Sequence, residues 1–183
     1  MKEEEVTYVF DTGPLRHFTL NNWLGVLKFL TRGRVVIPES VERELKDQSH
    51  QHQVLQQVLT AEWIVVDRSD DLEYLAAFAA YEEHLVEDGR NRGECGVLAL
   101  GRVRGHRIVI DDNVPRRLAK EEHLDCTGTL GLLCHAIREG QLTVPLVESL
   151  ADDLIMGEYR LPFPRGGFRR WAEEQGLLTS RPR

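Results

Sequence analysis

Short β-branched runs alternate along this chain with longer stretches in which apolar residues recur every three or four positions. The runs at 6–10, 34–37, 63–66, 107–110 and 124–127 are too brief for helices and too continuously apolar for a half-exposed strand, so they predict buried strands of a parallel sheet. Helical spacing marks 15–18, 23–30, 39–47, 50–60, 70–86, 94–102, a helix opened by Pro115, one opened by Gly128, and 144–156. Local punctuation supports these bounds: Asn21 and Asn22 offer an N-cap to the second helix, Gly33 stops it, Pro38 starts the third, and Ser69 is placed to cap the acidic helix that begins at Asp70. Repeated strand, helix, strand units predict a three-layer α/β/α sandwich with a parallel central sheet. That domain is expected to span 1–157. Residues 158–183 change character: the turn-rich Leu161-Pro162-Phe163-Pro164-Arg165-Gly166-Gly167 precedes a short helix bearing Trp171, which predicts a partly helical C-terminal extension.

Composition narrows the class. A chain of 183 residues with 42% hydrophobic content is long enough for one buried core and a tail. No apolar run approaches the roughly 18 residues needed to span a bilayer, and Met1-Lys2-Glu3-Glu4-Glu5 has the wrong charge for a signal peptide, so a cytosolic protein without a membrane segment is expected. Cys95, Cys126 and Cys134 are odd in number, lack CxxC spacing and lie in apolar stretches, which predicts core residues rather than disulfides or a zinc site. His50 and His52 read as solvated. A net charge of -7 argues against a general nucleic-acid coat. The charge is uneven, however: from Asp70 to Asp88 there are seven acids and no Lys or Arg, whereas Arg90 to Lys120 holds eight basic residues against three acids. Arg92 and Arg116 in that second window read either as solvated positions or as part of a basic rim around an acidic pocket.

The candidate chemistry lies at the strand ends. Asp11 follows the first strand, Glu44 lies on the helix after the second, Glu94 opens a helix, and Asp111 with Asp112 follows the fourth strand. In open parallel sheets this edge is where ligands bind. Carboxylates gathered there would repel one another, and a hard divalent ion such as Mg²⁺ or Mn²⁺, which takes oxygen ligands, removes the difficulty. Glu94 also suits a helix dipole and Asp111 an N-cap, so blander roles stand beside this one. An aspartyl phosphotransferase would want a second Asp where Gly13 stands, a receiver would want a Lys where Cys126 and Thr127 stand, and no Gly-rich turn for a dinucleotide follows the first strand.

Four blocks carry a resemblance: Val9-Phe10-Asp11-Thr12-Gly13-Pro14-Leu15; Ile37-Pro38-Glu39-Ser40-Val41-Glu42-Arg43-Glu44-Leu45; Gly93-Glu94-Cys95-Gly96-Val97-Leu98-Ala99-Leu100; and Ile110-Asp111-Asp112-Asn113 with Arg116-Arg117-Leu118-Ala119 and Gly128-Thr129-Leu130-Gly131. In order and spacing they resemble the PIN-domain family, and within it the nuclease group related to VapC-type toxins, over about residues 6–155. The resemblance implies a Mg²⁺- or Mn²⁺-dependent endoribonuclease that hydrolyses RNA phosphodiester bonds by metal-activated water, often the toxin of a toxin–antitoxin pair and usually a homodimer. A catalytically inactive RNA- or protein-binding regulatory module of the same fold is the alternative. By analogy Asp11, Glu44, Glu94 and Asp112 form the catalytic quartet, with Asp111 assisting or replacing Asp112 as a metal ligand. Thr12, Asn113 and Thr129 are the implied polar neighbours on the substrate side. Leu98 stands where many toxins carry a further Asp, so a second metal is expected to bind weakly. Glu42 is a competing ligand only if its helix is rotated. The arginines of the tail, Arg160, Arg165, Arg169, Arg170, Arg181 and Arg183, are expected to face RNA, or to help the tail aromatics dock on the body or on a second subunit.

Overall fold

The computed structural model describes residues 6–86 and 91–178; the predicted roles of Met1 to Glu5, Arg90, Arg181 and Arg183 fall outside them. Strand β1 (Tyr8–Phe10) leads into α1 (Thr12–Leu20) and α2 (Leu24–Leu30), and β2 (Val35–Pro38) into α3 (Glu39–Ser49), a 3-10 turn and α4 (Gln56–Leu59). Strand β3 (Ile64–Asp67) is followed by α5 (Leu72–Leu85) and α6 (Arg92–Arg104), β4 (Arg107–Val109) by α7 (Asn113–Glu121), and β5 (Cys126–Thr127) by α8 (Thr129–Arg138). The chain then forms α9 (Val144–Met156) and α10 (Phe168–Glu174).

All four strand pairings are parallel, in the order β3-β2-β1-β4-β5. The result is the three-layer α/β/α sandwich expected from the alternating pattern. The chain winds outward from β1 to β3, then returns to place β4 on the other flank of β1. The order therefore reverses between β1 and β4, and at such a reversal the loops leaving adjacent strands diverge and open a crevice. Tyr8, Val9 and Phe10 are all buried, as a central strand requires. Past the last pair, the Asp11 N–H still donates to Val109 O at 3.0 Å, and the Ile110 N–H to Thr127 O at 3.1 Å, so the ladder extends up to the acids.

Helix α6 lies on β1, β2 and β4 and against α3 and α5. It comes this close because its sequence is poor in bulk: a Cβ on Gly96 would stand 2.4 Å from Ser40 Oγ and 2.8 Å from Pro38 Cβ. Val97, Leu98, Ala99 and Leu100 are fully buried, so Leu98 belongs to the core.

Three local expectations are corrected. Residues 50–60 do not form one helix: His52 leaves helical backbone at φ -129, ψ 81, and Gln53–Leu55 form the 3-10 turn. Docking of that turn on α1 and α3 buries Leu55 fully and outweighs the helical periodicity. Asn21 ends α1 instead of capping α2; Asn22 takes a left-handed φ of 62, which Asn tolerates, and Trp23 occupies the N-cap of α2. Asp71, not Ser69, caps α5 by accepting from the Tyr74 N–H, while Ser69 turns to Asp67.

The C-terminal segment packs on the body. Phe163 and Phe168 join the core cluster, Trp171 stacks 5.1 Å from Phe163, and α10 lies against α9. Arg170 pairs with Glu174 at 2.8 Å. Cys95 and Cys134 are buried and Cys126 is half-buried, all as free thiols. Among the described residues no helix is long and apolar enough to cross a membrane.

Candidate metal centre

Asp11 and Asp112 leave β1 and β4 at the point where the strand order reverses. Each is the N-cap residue of the following helix, Asp11 of α1 and Asp112 of α7, and each has the extended backbone of a cap. An Asp there ordinarily accepts from the backbone N–H groups of the first turn. Asp112 makes no such bond, and Asp11 has only the adjacent Thr12 and Gly13 N–H groups beside it without a capping bond, in contrast to Asp71 and Thr143, whose side chains cap α5 and α9. The Asp11 Oδ1 and the Asp112 carboxylate are thus left uncommitted to a helix cap.

Asp11 is 6% exposed, and its Oδ1 is buried without a hydrogen-bond partner. Burial, then the charges of Glu94 and Glu44, push its carboxyl well above the usual range; the Thr12 and Gly13 N–H groups offset only part of this. Glu94 stands in the first turn of α6, and burial, aided by Glu44 and Asp112, pushes it up to about 7. Asp112 is the exposed member. Ligand oxygens of Asp11, Glu94 and Asp112 all lie within 4.8 Å of one another.

Glu44 stands just behind this trio. Thr12 Oγ1 donates to its Oε2 at 2.5 Å and the Gly93 N–H to its Oε1 at 2.9 Å, so both oxygens already have donors. The approach needs glycine: a Cβ on residue 93 would stand 2.6 Å from Glu44 Oε2. Glu42 faces elsewhere, held by Lys46 at 2.9 Å and Arg68 at 3.0 Å. Burial raises its carboxyl, and those two cations more than offset the rise.

The two adjacent aspartates line one cavity with Asp11 but differ in their partners. Asp111 turns away from the trio: its Oδ1 accepts from the Thr129 N–H at 2.7 Å and its Oδ2 from Thr129 Oγ1 at 2.6 Å, and the Tyr159 hydroxyl also donates to Oδ2. Asp111 thus ties the end of β4 to the start of α8. Asn113 shares a cavity of about 310 Å³ with Glu94 and Asp112. The Arg116 guanidinium lies near Gly128, close to Asp111. Arg92 is directed to α5, where it pairs with Glu82 at 3.2 Å and covers the Phe78 ring.

An oxygen-only cluster with one buried, unpartnered carboxylate oxygen and two carboxyls raised by burial and mutual repulsion suits a hard divalent ion. Sequence reasoning missed two of the residues that wall the other side of the site, His17 and Tyr159, while Arg160 was among the tail arginines expected to face RNA. His17, Tyr159 and Arg160 line a second cavity, about 360 Å³, together with Asp11 and Asp112. Tyr159 follows α9 in a segment without any resembling block, and its separation from Asp111 by 48 positions left no local signal.

No curated protein and no solved structure matches the chain. A family model described as a PIN domain matches residues 7–163, a span that holds all five strands, the three clustered carboxylates and Tyr159, and the chain therefore belongs to the PIN-domain family.

Proposed function

We propose that this protein is a divalent-metal-dependent endoribonuclease, with Asp11, Glu94 and Asp112 as the ligands of Mg²⁺ or Mn²⁺. The observation that carries the reading is the convergence of these three carboxylates within 4.8 Å around an Asp11 oxygen that is buried and unpartnered. An ion held there supplies a water of lowered pKa and a counter-charge for the phosphate. The chain's own groups do the rest. Glu44, gripped by Thr12 and Gly93, joins α1, α3 and α6 and keeps Asp11 and Glu94 in register. Asp111, gripped by Thr129 and Tyr159, holds the β4 crest from which Asp112 projects. Asn113 offers an amide to substrate in the cavity beside Glu94.

Cytosolic action on RNA as the toxin of a toxin–antitoxin pair, and as a homodimer, is the role we attach to this activity from the family resemblance. The test is Mn²⁺ calorimetry on wild type, Asp11→Asn and Asp112→Asn, with cleavage of single-stranded RNA assayed on the same samples. Metal binding and cutting by the wild type alone is the expected result. Full cutting by either variant would sink the reading, and metal binding without cutting would favour the regulatory module instead.

A further inference from the structure

The cavity of about 360 Å³ on the Asp11 side falls in the size range of ligand sites, about 300–1,000 Å³. Its outer wall is the turn that follows α9. Glu158 adopts a left-handed φ of 64 and reverses the chain, so that Tyr159 turns inward. The Tyr159 hydroxyl donates to Asp111, and its ring packs on His17 with centroids 4.4 Å apart. The ring is thus held both by its edge and by its neighbour while it lines the cavity.

The same wall carries a guanidinium beside the carboxylate of Glu158. Arg160 lines the cavity, is exposed, and has no carboxylate partner among the described residues. Arg16 Nη1 lies 3.3 Å from His17 Nε2 and its Nη2 3.4 Å from His52 Nε2. A guanidinium has no lone pair to offer, so in these contacts it can only donate, to the imidazole nitrogens. Arg16 is therefore steadied without being neutralised. The cavity on the Glu94 side differs: His84, Asn91, Asn113 and Val114 are among its lining, and no Lys or Arg is among the described residues there. In a chain of net charge -7, Arg160 in the lining, beside Glu158 and the aspartates, and Arg16 behind His17 give this flank two guanidinium groups without a carboxylate partner among the described residues, and these suit an anionic partner.

We propose that His17, Tyr159 and Arg160 form a nucleotide subsite, which seats one residue of a single-stranded RNA beside the phosphate presented to the carboxylates. Its base stacks on Tyr159, and its flanking phosphate is met by Arg160 with Arg16 behind. Stacking on a side chain requires an unstacked base, which selects single strands over a duplex. This inference rests on the reading of the carboxylate centre as one that cuts RNA.

The test is the anisotropy of a labelled ten-nucleotide single-stranded RNA, titrated in EDTA with the full chain and with Tyr159→Ala, Tyr159→Phe and Arg160→Ala, each checked by thermal melting. Tyr159→Ala is expected to bind roughly tenfold more weakly, whereas Tyr159→Phe, which keeps the ring and loses the bond to Asp111, stays within about twofold of wild type. Arg160→Ala, an exposed substitution that leaves the fold intact, weakens binding about fivefold and lowers the salt dependence by a slope of about 0.7. Tyr159→Phe as weak as Tyr159→Ala would reduce the tyrosine to a positioning residue and overturn the subsite, as would no binding by wild type or unchanged binding by Arg160→Ala. Cleavage in Mn²⁺ is read separately on wild type. Weakened variants with no cutting uphold the subsite and remove the nuclease reading; cutting with unchanged variant binding does the reverse.

Discussion

Thr12 Oγ1 donates a 2.5 Å hydrogen bond to Glu44 Oε2, joining the first residue of α1 to the middle of α3 behind the clustered carboxylates. A hydrogen bond to a charged group contributes about 1.5–3 kcal/mol. Thr12→Val keeps the shape and removes the donor, so Glu44 swings and the trio loosens. Mn²⁺ affinity is expected to fall roughly tenfold, equivalent to about 1.4 kcal/mol, and calorimetry that finds it unchanged would remove Thr12 from the site.

Gly93→Ala separates the demands of the helix from those of the site. Alanine favours a helix over glycine by about 1 kcal/mol, which supports α6. Its Cβ, however, would stand 2.6 Å from Glu44 Oε2 and expel that carboxylate from the Gly93 N–H. Displacements of about 1 Å at a site can cost about 100-fold in rate. The expected result is a protein with wild-type circular dichroism whose RNA cleavage is down by about that factor; undiminished cleavage would show that Glu44 can move freely.

Removing a clustered charge should stabilise the metal-free fold. Burial holds the Asp11 carboxyl well above its usual range, so ionised Asp11 strains the folded state. Asp11→Asn in EDTA is expected to gain about 1–3 kcal/mol, at about 2–4 °C per kcal/mol for a chain of this size. With Mn²⁺ at about 100 times its dissociation constant the wild type gains about 2.7 kcal/mol and the order closes or reverses. Scanning calorimetry with and without Mn²⁺ distinguishes the two; a variant less stable than wild type in EDTA contradicts the account.

The pH dependence has a defined sign. Glu94 rises to about 7, largely through burial and then through Glu44 and Asp112, so between its unfolded value and about 7 the folded state holds the extra proton. Metal-free stability is therefore fully present below the unfolded value and declines as pH rises toward 7. Mn²⁺ must displace that proton, so its affinity should climb over the same interval and level off above about 7, with proton uptake by the buffer measurable at pH 6. Urea denaturation of Glu94→Gln should show a flatter profile; an unaltered slope would assign the titration to another group.

The parts of the fold written in local pattern were legible. Tyr8-Val9-Phe10 is a buried β-branched and aromatic run followed at once by an acid, and such a run is a strand wherever it is placed. The choice between Asp111 and Asp112 was not legible, because neighbouring residues at a strand end face opposite ways and the donors that claim Asp111 come from Thr129 and Tyr159. Glu42 and Glu44 posed the same problem two positions apart, settled in space by Arg68 for one and by Gly93 for the other. Residues 50–60 carried helical periodicity, but the need to sink Leu55 against two other helices overrode it.

The bond from the Asp11 N–H to Val109 O makes the sheet itself a ruler. Neighbouring strands stand about 4.7–4.9 Å apart wherever backbone pairs with backbone, and Asp11 and Asp112 hang from two strands paired in this way. The spacing of the strands from which they leave is a dimension of the peptide ladder, and the clasp on Asp111 sets the short course from Ile110 to Asp112 beyond it. Substitutions around the site can tilt the carboxylates or remove one, but only a slip of β4 against β1 can reset the gap between their anchors. A one-residue deletion between Ile108 and Asp112 is the change that would redraw it.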